Sequence, residues 1–305
     1  MNFFKRIFLF LATNIAIILV VTVIIFVLER FFHIRITPSL AGGYGGLFVF
    51  ALIFGFMGSF LSLAISRWMA KRAYDIKLLS ESRLMDYDAK SQLVYTIVVR
   101  IAQMNGINMP EVGVYESSDP NAFATGPTKN RALVAVSSGL LSSMTPAEIE
   151  GVIAHEMSHI LSGDMVTMTL LQGVLNTFVI FFARVIGHIV DSYVFKNERE
   201  GTGWGYMLSV LILEMLLGIL ASLVLMAFSR YREYRADEGS ARSVGKDKMI
   251  QALKRLQYIT ANQEIVDDGK LSTFKIHSEK GYFSLFMSHP SLTDRIANLE
   301  SRYDL

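Results

Sequence analysis

Residues Ile7 to Leu28 contain no charged side chain over 22 consecutive positions, and no other feature limits the fold as strongly. Coiled as a helix rising about 1.5 Å per residue, such a run is about 33 Å long, enough to cross the hydrocarbon core of a bilayer. A secretory signal peptide is the competing reading. The run is too long for one, and no small-residue cleavage pattern follows it. A second charge-free stretch, Ile36 to Ser66, is expected to become helical near Gly45, after a short link containing Pro38. Lys5 and Arg6 precede the first run, and Arg67, Lys71, Arg72 and Lys77 follow the second. By the positive-inside tendency both ends of this hairpin face the cytoplasm.

Two more apolar runs lie further on. Met165 to Ala183 is free of charge, and Tyr206 to Phe228 carries only Glu214. The polar, Gly-rich sequence between them reads as the turn of a second hairpin. Arg184, His188 and Glu214 make this pair the weaker membrane candidate, the alternatives being helices packed in a cleft or lying at the interface. The composition agrees with a membrane chain: 52% hydrophobic and 18% charged, against about 25% charged in an average soluble domain. The net charge of +2 gives no reason to expect a nucleic-acid partner. The absence of cysteine excludes disulfides and thiolate metal sites, so any zinc must be held by nitrogen and oxygen.

Between the hairpins the sequence is soluble in character. "QLVYTIVVRIAQMNGI" has helical spacing, and "EVGVYES" and "RALVAVSSGLL" are β-branched runs suited to two strands of a small sheet. "TPAEIEGVIAHEMSHI" announces another helix, with Thr145 at the N-cap, Pro146 at the first position and Glu148 completing a capping box. The expected organisation is a transmembrane hairpin (1–72), a first part of a soluble domain (73–164), a second apolar hairpin (165–228) and a second part of the soluble domain (229–305).

The chemistry is concentrated in His155-Glu156-Met157-Ser158-His159. Residues four apart on a helix share a face, so both imidazoles can reach one ion, while Glu156 can address a metal-bound water. The plainer reading is two histidines on a helix with a surface glutamate. A catalytic zinc takes three protein ligands and keeps one position open. The third ligand is sought in "SRYREYRADEGSAR", where Glu233 and Asp237 are again four apart. Glu233 can bind zinc, and Asp237 can accept the other ring N–H of a liganding histidine. Alternatively this is a solvated helix end in which Arg230, Arg232 and Arg235 pair with the acids.

The His-Glu-x-x-His motif, followed after an apolar hairpin by "SRYREYRAD", resembles the HtpX family of bacterial membrane zinc metalloproteases, relatives of the integral-membrane prenyl-protein proteases. "DPNAFATG" and "SHPSLTDRI" extend the likeness over essentially the whole chain. The resemblance implies a mainly α membrane protein of about four apolar helices, with a cytoplasmic α+β zinc-metalloprotease domain containing a small β-sheet. It implies one Zn2+ per chain on His155, His159 and Glu233, with Glu156 as general base and His289 beside the oxyanion. Asp237 would orient a histidine, and Arg230 would hold Glu233 or Asp237, the alternative being stabilisation of the oxyanion. Asn121, Ala122 and Phe123 would lie on the strand that receives substrate, although "NAF" by itself reads as a turn and His289 as a helix-start residue. It further implies a multi-pass protein of the bacterial inner membrane that cuts membrane proteins or their cytoplasmic loops under stress, with other quality-control proteases as possible partners. A prenyl-protein-type processing protease and a zinc-bound membrane scaffold are the two alternatives.

Overall fold

Wherever the apolar runs fall among the described residues they form helices. The computed structural model describes residues 22–23, 25–27, 30–31, 43–195, 203–266 and 289–302, so the expected first span lies almost wholly outside them. Helix α1 runs from Gly43 to Tyr74, close to its expected start. Among the described residues three helices are long and apolar enough to cross a membrane: α1, α5 (Asp164–Tyr193) and α6 (Trp204–Val244). Contacts divide the chain into two compact units, the first running to Ser62 and including Thr167–Leu225, the second comprising Leu63–Val166 and Met226–Leu305.

In the first unit the apolar side chains point outward. Leu170, Val174, Phe178 and Phe182 form an exposed stripe along α5, and Leu208, Leu211, Met215 and Ile219 are exposed on α6. In water such a surface would be covered by another element, whereas in lipid it needs no partner. The inward side buries Leu47, Phe50, Tyr206 and Val210 and includes glycines that let helices approach closely. A Cβ on Gly55 would come within 2.4 Å of Thr177 Oγ1, and one on Gly173 within 2.5 Å of the Phe56 ring. Arg184 pairs with Glu214 and lies 5.5 Å from the Phe50 ring centre, so the two charges that weakened this hairpin as a membrane candidate neutralise each other.

The second unit is built around two helices and a sheet. Helix α2 (Ala89–Met104) is capped by Asp88, whose side chain accepts from the N–H groups of Lys90 and Ser91. Helix α4 (Pro146–Ser162) begins with the expected capping box: Thr145 N–H donates to Glu148 Oε2 at 2.7 Å, and Glu148 N–H to Thr145 Oγ1 at 3.4 Å. Val94, Ile97, Val98 and Ile101 of α2 pack with Ile149, Ile153 and Met157 of α4 in one buried cluster. Burying each of these large side chains contributes about 1.5–3 kcal/mol.

The sheet holds β1 (Lys77–Leu78), β2 (Glu111–Tyr115), β4 (Leu133–Ser137) and β3 (Ala122–Thr125), in that spatial order. β2 and β4 are parallel and coincide with the two β-branched runs, while the outer pairs are antiparallel. Val112, Val134 and Val136 turn one face of the sheet into the helical core. A short helix, α3 (Ser138–Ser143), follows β4, and its end is fixed by Lys90 Nζ donating to Met144 O (2.8 Å) and Arg255 Nε donating to Ser143 O (2.8 Å). Helices α7 (Lys246–Val266) and α8 (Leu292–Ser301) complete the unit. Gly151 of α4 lies against α7, where a Cβ would come within 2.6 Å of Lys248 O.

Candidate metal centre and active-site cavity

Helix α4 presents His155 and His159 side by side, with ring centres 4.8 Å apart and planes nearly perpendicular. Glu233 and Asp237 come from the part of α6 beyond its apolar stretch. His155 Nε2 is 3.6 Å from Glu233 Oε2, His159 Nε2 is 3.4 Å from Glu233 Oε1, and the two Nε2 atoms are 3.2 Å apart. Each histidine is oriented from behind by a carboxylate. Asp237 Oδ1 lies 2.9 Å from His155 Nδ1, and Asp164 Oδ2 lies 2.6 Å from His159 Nδ1.

This donor set fits a cation. Because each Nδ1 faces a carboxylate, it carries the ring proton, and each neutral ring presents a lone pair at Nε2. Two lone pairs and the Glu233 carboxylate therefore converge with no hydrogen donor among them, which is unfavourable unless positive charge sits between. Bonds of about 2.0–2.1 Å in tetrahedral directions would separate neighbouring ligand atoms by about 3.3–3.4 Å, close to the distances above. Two imidazoles and a carboxylate without thiolate suit zinc. Without a cation, protons meet the same need. Burial disfavours a charged His155, but Asp237 and Glu233 outweigh it and raise its pKa. Burial likewise opposes protonation of His159, and Asp164 and Glu233 outweigh it to give about 9.

The carboxylates are braced in turn. Arg295 of α8 grips Asp237 with two hydrogen bonds, Nε to Oδ2 at 2.8 Å and Nη2 to Oδ1 at 2.6 Å, and its Nη1 lies 3.5 Å from Glu233 Oε2. Burial disfavours the charged guanidinium, yet Asp237 and Glu233 raise the Arg295 pKa further. Arg232 sits between the two carboxylates of the centre, 3.6 Å from Asp164 Oδ2 and 3.8 Å from Glu233 Oε1. His289 Nδ1 is 2.9 Å from Glu233 Oε2, and its side chain is 62% exposed. Glu233 is thus braced by Arg295 and Arg232, and Arg230 does not line the cavity.

In front of the centre is a cavity of about 420 Å3 whose lining includes His155, Glu156, His159, Glu233 and His289. Glu156 is half-buried. Burial pushes its carboxyl above the ordinary range, although His155 and His159 pull the other way. A carboxylate so tuned accepts a proton more readily near neutral pH. The opposite wall is strand β3 and the residues before it, with Asn121, Ala122 and Phe123 all lining the cavity. Among the described residues β3 is an outer strand of the sheet, paired with β4 on one side. Ser137 N–H donates to Asn121 O, and alternation along the ladder then turns the backbone of Phe123 toward β4 and that of Ala122 and Ala124 toward the open edge. The Ala124 N–H reaches the Glu156 carboxylate.

The structure thus gathers around one cavity the expected ligands, base, edge-strand residues and His289, with Asp237 fully buried behind His155. Asp164 and Arg295 have no role in the sequence reading, and Arg232 enters it only as one of three arginines of a solvated helix end. Arg295 stands six positions after His289 in the quoted "SHPSLTDRI", a visible signal with no assigned role. Asp164 depends on the chain turning at Gly163, whose φ of 68° ends α4 in the left-handed region.

A family model described as peptidase family M48 matches residues 88–303. Protease HtpX of Shewanella frigidimarina (strain NCIMB 400) is 50% identical over 300 residues, covering 97% of this chain and 99% of its own. Protease HtpX of Shewanella oneidensis is 49% identical over 301 residues, covering 98% and 100%. The crystal structure of S. mikatae Ste24p shares the fold, with a TM-score of 0.61 at 18% identity over 95% of this chain and 66% of that one, so this chain spans about two-thirds of that protein's length. From its family match, its near-full-length likeness to HtpX proteases and its apolar helices, this chain belongs to peptidase family M48, in the HtpX branch of membrane metalloproteases.

Proposed function

We propose that this chain is a zinc endopeptidase of the bacterial inner membrane, hydrolysing peptide bonds of membrane proteins or their cytoplasmic loops in the removal of damaged or misassembled chains. The observation that carries the reading is the convergence of an electron-rich His155, His159, Glu233 centre, an adjacent Glu156 and an open strand edge on one cavity. A substrate segment lies along β3 and forms main-chain hydrogen bonds with Ala122 and with the carbonyl of Ala124. Zinc held by the three ligands would polarise the scissile carbonyl and acidify a water molecule. Glu156 takes the proton from the attacking water and delivers it to the leaving amine. His289, at the cavity mouth, donates to the developing oxyanion. The centre faces the cytoplasm. A structural zinc site is closed by four ligands; the three candidate ligands found among the described residues, beside a carboxylate base, favour catalysis over a scaffold.

The test compares wild type with Glu156→Gln, purified in detergent, on a loosely folded polypeptide, with and without a chelator. The variant should keep stoichiometric zinc and lose cleavage by about 10²–10⁴-fold. Cleavage at the wild-type rate would remove Glu156 from the reaction, and chelator-resistant cleavage would remove the metal.

A further inference from the structure

On the face of the sheet turned away from α4, the ring of Phe123 is part of an aromatic trio. Its centre lies 5.3 Å from that of Tyr74 and 5.8 Å from that of Tyr115, and the two tyrosines are 5.1 Å apart. Tyr115 is buried beneath, whereas Tyr74 is 48% exposed. Tyr74 is also held in place. It is the last residue of α1, and one and two turns earlier Lys71 and Arg67 pair with Glu111 of β2 at 3.0 and 3.5 Å. A half-exposed ring so anchored beside a strand whose outer edge is unpaired among the described residues is a prepared surface.

The strand's alternation says what that surface meets. Ala122 and Ala124 pack with the helical core on the α4 side, together with Val134 and Val136. Phe123, between them, points to the other face. A peptide added to the open edge sends its own side chains alternately to the two faces, and same-face neighbours on adjacent strands touch. One set of side chains enters the cavity beside His155 and Glu156. The other set must pass Phe123 and Tyr74.

We propose that Tyr74 and Phe123 form a substrate subsite on the face of the sheet opposite the metal helix, which selects an apolar or aromatic side chain at one position of the bound peptide. This rests on the edge-strand docking of the proposed function and adds a specificity determinant to it. Tyr74 offers an apolar face to the substrate while its hydroxyl stays in water.

The experiment is a positional scan of a cleaved peptide, each position carrying Leu or Ser, with wild type and Tyr74→Ala. In wild type one position should favour Leu by about tenfold in kcat/KM, mostly through KM, the order expected for apolar side-chain discrimination. Tyr74→Ala should reduce that ratio to about twofold or less, and Tyr74→Phe should keep it because the ring supplies the contact. Tyr74→Glu should turn the preference at the same position toward Lys, a gain that a folding defect cannot imitate. A Leu-to-Ser ratio that is unchanged by Tyr74→Ala at every position overturns the subsite. Failure of the docking itself reads out separately. If backbone N-methylation at successive peptide residues never slows wild-type cleavage, the peptide is not bound as a strand, and the subsite falls with that reading.

Discussion

Replacing Asp164 by Asn should weaken zinc binding about tenfold. The carboxylate lies 2.6 Å from His159 Nδ1, and both residues are buried. A charge-assisted bond at that distance fixes the ring's tautomer and increases electron density at Nε2, the atom turned toward Glu233 and His155. Asn retains an oxygen acceptor of the same shape, so the orientation survives and only the charge is lost. Ala removes both. Loss of such a carboxylate typically costs 10–100-fold in metal affinity, about 1.4–2.7 kcal/mol. We assign the lower figure to Asn and the upper to Ala. The assay is competition between the purified protein and a zinc-chelating dye, which reads Kd directly and needs no substrate. One side effect has to be kept apart: Asp164 is the acidic residue in the first turn of α5, and losing a charge there costs about 0.3–1 kcal/mol of helix stability. Titration well below the melting temperature separates the two. If Asp164→Asn binds zinc within twofold of wild type, the reasoning that His159 is tuned through its far nitrogen is wrong.

Two further expectations concern the braces of the second unit. Arg295→Ala leaves Asp237 buried without its bidentate partner and should destabilise the protein by about 3–5 kcal/mol; thermal melting of the zinc-free protein checks this, and a loss below 1 kcal/mol would show that Asp237 finds another partner. Glu150 of α4 pairs with Lys248 of α7 at 2.6 Å and with Arg100 of α2. Burial favours its neutral form, but Lys248 and Arg100 outweigh this and lower its pKa. A carboxyl with a lowered folded pKa contributes stability that is present above its unfolded pKa and lost as pH falls through the folded value. Wild type should therefore exceed Glu150→Gln by about 1 kcal/mol at pH 7, given the solvent exposure of both partners, and the margin should shrink as pH falls below about 4.5. A margin that does not change between pH 7 and pH 4, measured by paired melts, contradicts the assignment.

Much of the site could be read directly because its parts are local. The spacing of His155 and His159, the capping box at Thr145 that starts their helix and the apolar runs each depend on side chains within a few residues of one another. Glu233 was reachable too, but only by asking what completes a three-ligand centre, since its own surroundings, with arginines on either side, read equally well as a solvated helix end. Arg295 shows the limit of such reasoning. Several arginines stand near the acids in sequence, and nothing local says that a guanidinium gripping Asp237 comes from Arg295, 58 residues further on. The outer position of β3 was reachable only through the family resemblance: "NAF" carries no strand signal of its own, and an edge exists only relative to the strands that are paired.

The sequence by itself determined that this chain has membrane-length helices and that one helix presents two imidazoles and a carboxylate, because hydrophobic run length and helical periodicity are properties of contiguous residues. Only the tertiary structure decided that Asp164 orients His159, that Arg295 grips Asp237, and that Tyr74, at the end of an apolar helix, stands beside Phe123 of the outer strand. The last two relations join residues far apart in the chain. They are set by the packing of α4 against α2, α7 and the sheet, and no local spacing encodes them.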